Sequence, residues 1–591
     1  MSNKTSWDLS TFFESEEAFL KALEAFKAYP KQLASYQGKL SDLDQFKEYL
    51  RLSKKMNEDL SRLYYFASMR SDLNKKDVNN ASDLSKVQIA LRDIGMAVSF
   101  EEPEILAMGK EKVDAFIKDN PEFDEFSFSF EKLFRGQSHV LSPDKEKLLS
   151  SYSAVLGEAG QLYSTLSLSD RGVAKCTLSD GREVEVNQAN WSSLVADAKS
   201  AEDRATIFKT LYAYYDAHKA TYGEIYNLGL QSQLASVRAR GYKDILDLHL
   251  DGSAIPEQVF HNLVEVASQN AKPLQEYYEI RRKYLGLEKH RSYDRFIQLA
   301  KSEKKYTYDE AKQLFWDSIA AFPQDFQDKA HEVLREGFVD VYPAEGKRSG
   351  AYSNGGEDFH PYILLNFNGE LDDCFTLAHE SGHSIHTLYA EEAQPTLKQN
   401  YTIFVAEIAS TFNEHNLLDY LLNSGTLSKQ DKIFLLQKSI DEICSTFYRQ
   451  TLFGQYEYEI AKLAEAGQPI NYEVLSAKMI ELYKTYFGID IAEEEVKPLV
   501  WAYIPHLFYT PFYVYQYATS FTSSMLIYER VKAKEEGAFD QYLNLLRSGG
   551  SDYPVSQVKA AGVDLTTKEP YLAVIRRMEE LVSDLKTLLE E

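Results

Sequence analysis

The residues best equipped for chemistry sit in one short stretch, Phe375–Tyr389, which reads FTLAHESGHSIHTLY. His379 and His383 are four apart. On a helix, where each residue turns by about 100 degrees, they lie one turn apart on one face and can bind a single ion through imidazole nitrogens. Glu380 is rotated to the edge of that face. There it is poorly placed to be a third ligand of the same ion, but it can hold a water beside the ion and take its proton, the general-base task of an H-E-x-x-H pattern. Zinc would lower the pKa of such a water and polarise a scissile carbonyl. His386 shares the face at i+7, yet a rise of about 1.5 Å per residue puts it about 10 Å along the axis from His379. It is expected to support or pack, not to ligate. The metzincin extension also fails, since His386 stands at its Gly position and Tyr389 at its third His position.

The chain contains its own control, because His331-Glu332 is followed by Arg335 where a second His would be needed, and that pair reads as surface. Around His379 and His383, by contrast, Phe375, Leu377, Ala378, Gly382 and Ile385 describe a buried helix. Polar groups placed there without partners would cost roughly 2–7 kcal/mol, which a ligand role explains. A third ligand must come from elsewhere, and the best supply is YTIFVAEIASTFNEHNLL, Tyr401–Leu418, where Glu407, Thr411 and Glu414 share a helical face. Glu407 is enclosed by Phe404, Val405, Ala406, Ile408 and Ala409, surroundings in which a carboxylate needs a cation. Glu391 and Glu392 are rivals, but near the expected helix end they should face solvent. Glu414 either orients His379 or His383 through the free ring nitrogen or is an exposed acid. Cys374 reads as a small buried residue on the motif helix, and no G-x-S-x-G occurs to propose a covalent intermediate.

Which elements position these groups? Apolar residues recur at helical spacing from Glu16 to about Glu104, with Tyr29-Pro30 as a turn signal. A second helical block opens at Ser142 as N-cap with Pro143 in the first helical position. VAKCTLSDGREVEV, Val173–Val186, alternates around Asp180-Gly181 and predicts a β-hairpin. Beyond Asn187 long helices return, the longest apparent run being Arg204–Tyr242, so the spacing suggests an N-terminal region over 1–190 and a catalytic region over 191–591. A short apolar run, Tyr362–Phe367, precedes the turn Asn368-Gly369 and acidic residues suited to a helix start, so the metal motif should sit on a helix that follows a strand.

The length is that of an enzyme-sized protein. At 591 residues the chain exceeds what one core usually sustains, and only 28 Gly and 16 Pro favour long helices. The net charge of −25 repels phosphate backbones and anionic lipid surfaces, so neither nucleic acid nor membrane is an expected partner. Cys176, Cys374 and Cys444 are too few and too scattered for a disulfide framework or a thiolate zinc cluster. With no basic segment followed by an apolar run at the start and no apolar stretch of about 18 residues, a cytoplasmic location is expected.

HESGHSIH followed by FVAEIASTFNE resembles the zinc signature of oligoendopeptidase F, within the thimet oligopeptidase group of metallopeptidases. The resemblance extends to WDLS (Trp7–Ser10), RSGAYS (Arg348–Ser353), HLFYTPFYVYQYA (His506–Ala518) and AAGVDL (Ala560–Leu565), spanning nearly the whole chain. It implies that His379, His383 and Glu407 bind one zinc ion per chain, with Glu380 as general base and acid and Glu414 in support. It also implies a mainly α fold, a two-lobed helical shell around a deep channel that admits short unfolded peptides. The family uses a His and a Tyr from a C-terminal segment to bind the carbonyl oxygen as it becomes negative. The matching residues are His506 and Tyr513, seven apart and thus able to share a helical face, with Tyr509, Tyr515 and Tyr517 as further candidates. The strand YILLNF could then be an edge to which an extended substrate adds, or a core strand without that role. The expected function is zinc-dependent endopeptidase action on oligopeptides. A dipeptidyl carboxypeptidase and a non-catalytic peptide-binding protein are the alternatives.

Overall fold

Few breakers interrupt the apolar periodicity, and the chain is accordingly 69% helix and 4% strand in the computed structural model, which describes residues 5–302, 304–425 and 427–590. The N-terminal region is helical as expected, with Glu16–Phe26, Leu43–Leu73 and Val78–Ala97 started by Ser15, Asp42 and Asp77, whose side chains accept first-turn N–H groups. Tyr29-Pro30 does not break the chain but opens the helix Tyr29–Ala34, in whose first turn a missing N–H is harmless. The predicted hairpin is present: Ala174–Thr177 (β1) pairs antiparallel with Glu183–Val186 (β2), Ala174 opposite Val186, and Gly181 takes the turn at φ 85°. The run Arg204–Tyr242 is not one helix. It divides at His218, where the backbone leaves helical values, into Ala201–Ala217 and Lys219–Arg240. Among the described residues no helix is long and apolar enough to cross a membrane.

The chain forms two compact units, each assembled from three stretches: Met1–Ser138, Lys304–Tyr420 and Arg530–Gly562 in the first, and His139–Glu303, Leu421–Glu529 and Val563–Glu591 in the second. The change of sequence pattern near residue 190 follows the chain, whereas these units join segments far apart in it. In the second unit the C-terminal helix Glu569–Glu590 packs along Lys429–Glu442 and Lys272–Tyr284. There the fully buried Arg281 donates to the carbonyls of Asp294, Arg295 and Ile297.

The first unit contains a three-stranded sheet, Val339–Asp340 (β3), Tyr352–Gly356 (β4) and Phe359–Leu364 (β5), in the order β3-β5-β4. Of the two roles left open for YILLNF, the structure shows the core strand, since β5 is the middle one. Its residues Pro361–Leu364 are all buried, and β5 pairs with β3 on one side and β4 on the other, so the edges belong to β3 and β4. Trp7 of the WDLS segment donates its indole N–H to the Ile363 carbonyl at 2.8 Å, tying the N-terminus to this strand. The β4–β5 turn puts Glu357 and Asp358 at φ 57° and 68°, as a tight hairpin of this hand requires. The Gln399 side chain secures the turn, accepting from the Asp358 N–H at 3.0 Å and donating to its carboxylate at 2.7 Å.

After Gly369, at φ 82°, the motif helix Leu371–Ala393 begins with a capping box between Glu370 and Asp373. It packs against β4 and β5. The helix Ile403–Asn423, which carries Glu407, crosses it at Gly382. A Cβ on Gly382 would lie 2.4 Å from the Ala409 carbonyl oxygen and 2.6 Å from the Ser410 Cα, so only a residue without a side chain admits this approach. Gly382→Ala is expected to lower stability by about 1–3 kcal/mol and to weaken metal binding with it. Thermal unfolding and metal titration of the purified variant measure both.

Candidate active site

The crossing at Gly382 delivers three potential ligands to one point. The Glu407 Oε2 lies 3.4 Å from His379 Nε2 and 3.5 Å from His383 Nε2, and one ligand atom from each of the three falls within 4.8 Å of the others. Tetrahedral bonds of about 2.0–2.1 Å would separate ligand atoms by roughly 3.3 Å, so the donors need little rearrangement to hold one ion. Two imidazoles and one carboxylate with a position left open is the donor set of a catalytic zinc site. His379 Nδ1 is hydrogen-bonded to Glu414, which resolves the choice open in the sequence: Glu414 orients His379, not His383. Ser410 donates to Glu407 Oε2 at 3.0 Å, and Asn413 donates to the Ala378 carbonyl at 3.2 Å.

Glu380 is buried beside this cluster, and its Oε2 has no hydrogen-bond partner. Burial pushes its carboxyl up, against the pull of His379 and His383. Burial also opposes charge on Glu407, yet hydrogen bonds and charge from the two imidazoles hold that carboxyl below its usual range. The His379 imidazole feels the reverse: burial pulls it down, while Glu407 and Glu414 together hold it well above its ordinary value. Three acidic side chains around two imidazoles make a site suited to a cation.

The other motif residues sort cleanly. His386 is fully buried, stacked on Tyr401 with ring centroids 3.6 Å apart, and burial takes it down to about 3; it packs, as the helical rise predicted. Cys374 is buried on the motif helix. His331 is exposed and lies against Trp316. The expectation for Glu391 is corrected. The helix runs on to Ala393, and Glu391 is half-buried near Asp358, its carboxyl pushed up to about 8 first by burial, whereas Glu392 is exposed and pairs with Lys329 at 2.8 Å.

The cluster opens on a cavity of about 440 Å³, walled by β4, His379, Glu380, His383, Tyr401 and Glu407. Sequence reasoning missed Tyr401, whose hydroxyl meets Thr387 at 3.1 Å, and it missed Ser353 of β4, hydrogen-bonded to Ser384 at 2.8 Å. The Gly355-Gly356 pair ahead of Glu357 was the available signal that a hairpin, and hence an edge strand, borders the motif.

His506 and Tyr513 belong to the second unit, and they do meet, but not on one helix. The helix His506–Tyr509 ends before Pro511, Phe512 turns at φ 56°, and Tyr513 lies outside any helix. The rings stack with centroids 6.0 Å apart at 6°. Burial lowers the His506 imidazole from its ordinary value, which favours the neutral ring. Tyr509 is exposed and Tyr515 buried, and Tyr517 meets Tyr513 edge-on at 5.6 Å.

The raised His379 value has a measurable consequence. Nε2 must lose its proton before it can ligate, so binding of zinc to the metal-free protein at pH 7 should release about one proton per ion, and affinity should fall as pH falls. Calorimetric titrations in buffers of different ionisation heat measure this. A binding heat independent of the buffer would contradict it.

Comparison with known proteins places the chain. The profile of Peptidase family M3 matches residues 194–577, and that of Oligopeptidase F matches residues 104–171. Oligopeptidase PepF of Bacillus subtilis is 33% identical over 99% of this chain and 87% of its own, and the oligoendopeptidase F homolog of Borreliella burgdorferi is 32% identical over 99% and 97%. The crystal structure of a putative peptidase from Chlamydophila abortus covers 100% of this chain and 99% of its own, with a TM-score of 0.89 at 31% identity. Oligoendopeptidase F from Enterococcus faecium shares the fold at a TM-score of 0.77 and 24% identity, over 97% of this chain and 99% of its own. The shared helical frame and the full-length match agree with the His-His-Glu cluster at its metal motif: the chain belongs to Peptidase family M3 and is a metalloendopeptidase.

Proposed function

We propose that this protein is a cytoplasmic, zinc-dependent endopeptidase of short, unstructured oligopeptides, with one zinc ion per chain held by His379, His383 and Glu407. The observation that carries the reading is the buried, partnerless Glu380 Oε2 beside three converging ligand atoms. When bound, zinc would supply Lewis acidity, bringing a water's pKa to about 7 and drawing electron density from the scissile carbonyl. Glu380 takes the proton of the attacking water. The water oxygen bonds to the carbonyl carbon, the C–N bond breaks, and Glu380 passes the proton to the departing amine. A carboxyl raised by burial is suited to both halves of this exchange, since its basicity lies nearer the working pH. By the family resemblance, His506 and Tyr513 donate to the carbonyl oxygen as it gains charge. The outer strand β4, which walls the cavity, offers main-chain pairing to an extended peptide, a mode tolerant of varied side chains. A net charge of −25 disfavours nucleic acid and anionic membranes as partners.

Glu380→Gln should keep its zinc and lose kcat by roughly 10²- to 10⁴-fold, as read from a metal assay and from mass spectrometry of a digested peptide library. Full cleavage by the zinc-loaded variant would sink the mechanism, and with it the dipeptidyl carboxypeptidase reading, which relies on the same Glu380 chemistry. Cleavage of peptides blocked at both ends is expected and separates the endopeptidase from a dipeptidyl carboxypeptidase. Cutting confined to free C-terminal dipeptides would overturn the endopeptidase reading.

A further inference from the structure

The second unit holds a buried acid that the proposed chemistry does not use. Glu457, on the helix Arg449–Glu465, is 3% exposed. One carboxyl oxygen accepts the backbone N–H of Phe512 at 2.8 Å, and the other has no partner. Glu457 is thus buried for the sake of one hydrogen bond, and that bond goes to the strained point of the turn between His506 and Tyr513. Phe512 sits at φ 56°, a region in which a bulky residue is a true outlier and persists only where its surroundings hold it.

The segments on either side of this turn are independently anchored. On the His506 side, Phe508 stacks on Tyr163 with centroids 4.0 Å apart, and the Tyr163 hydroxyl donates to the Ala502 carbonyl at 3.0 Å. On the other side, Tyr515 packs over Gly454, where an added Cβ would stand 3.0 Å from the Tyr515 Cβ. The Phe512 ring itself stacks on His249 at 5.1 Å. Between these anchors Pro511 has no N–H to offer, so the Phe512 N–H is the donor by which the turn can be held, and Glu457 takes it.

We infer that Glu457 is a positioning residue: through the Phe512 N–H it holds the Pro511–Phe512 turn in the conformation that returns the Tyr513 ring onto His506. The inference rests on the proposed role of that pair at the carbonyl oxygen, but the stacking itself can be read separately. Burial pushes the Glu457 carboxyl up to about 8, so near neutral pH it is largely the uncharged acid, and a glutamine, which keeps the accepting oxygen, should replace it well. A leucine fills similar space and leaves the buried N–H unpaired.

The test uses the zinc-loaded full chain, with histidine-labelled NMR to observe the His506 ring protons beneath Tyr513 and an internally quenched peptide to separate kcat from KM. Glu457→Gln should stay within about twofold of wild type, whereas Glu457→Leu should lower kcat roughly 10- to 100-fold with KM and zinc content unchanged, and should shift the His506 signal. In a Tyr513→Phe background Glu457→Leu should cost little further kcat, because the group it positions is already lost. An unmoved His506 signal in Glu457→Leu overturns the inference, and so does an undiminished kcat loss in the Tyr513→Phe background. If Tyr513→Phe alone leaves kcat intact, the carbonyl-oxygen role of the pair fails, and the His506 signal still decides whether Glu457 sets the stack. Should Glu457→Leu not fold, Glu457→Met carries the same readouts with a more adaptable side chain.

Discussion

The absence of a side chain at Gly382 is the constraint on which the site depends. Two helices meet there with Ala409 O and Ser410 Cα inside the space a methyl group would need. That approach lets Glu407 reach both imidazoles, lets Glu414 reach the far nitrogen of His379, and lets Asn413 satisfy the Ala378 carbonyl. Moving the helices apart by a methyl radius would lengthen all of these contacts together, since each is made by a rigid helix carrying several groups. The metal motif is therefore half a site, and the crossing supplies the other half.

Such a crossing concentrates charge. Glu380, Glu407 and Glu414 surround His379, and burial raises the energy of each ionised carboxyl unless positive charge compensates it. A divalent cation held by His379, His383 and Glu407 would compensate for this and would leave the partnerless Glu380 Oε2 unclaimed. The rest of the first unit holds the walls in place. Trp7 ties the N-terminus to β5, the Tyr352 hydroxyl donates to Asp72 at 2.8 Å, and Gln399 locks the β4–β5 turn to the loop ahead of the Glu407 helix. This explains why WDLS and RSGAYS, which carry no catalytic group, belong to the same pattern as the metal motif.

Local rules made part of this legible. The i, i+4 spacing divided His379 and His383 from His386, an enclosed Glu407 implied a partner, which the two imidazoles now face, and Asp180-Gly181 located a hairpin, because each depends on a periodicity or a turn carried by neighbouring residues. Tertiary contacts hid the rest. Whether YILLNF was an edge or a core strand stayed open, because its place between β3 and β4 is set by β3, twenty residues upstream of β5. Glu391 turned inward because the helix outlasts the apolar pattern that suggested its end. His506 and Tyr513 meet through a strained turn, not a shared helix face, and spacing alone cannot distinguish the two. The two units escape a linear reading for the same reason, each being sewn from stretches whose contacts lie far apart in the chain.

The central claim is that the crossing at Gly382 completes a three-residue metal site from two helices. X-ray absorption at the zinc edge of the metal-loaded protein tests it most directly. The account predicts two imidazole nitrogens and oxygen for the remaining donors at about 2.0–2.2 Å, with one oxygen scatterer altered in Glu407→Ala. A sulfur ligand, fewer than two imidazoles, or a spectrum unchanged by Glu407→Ala would contradict it.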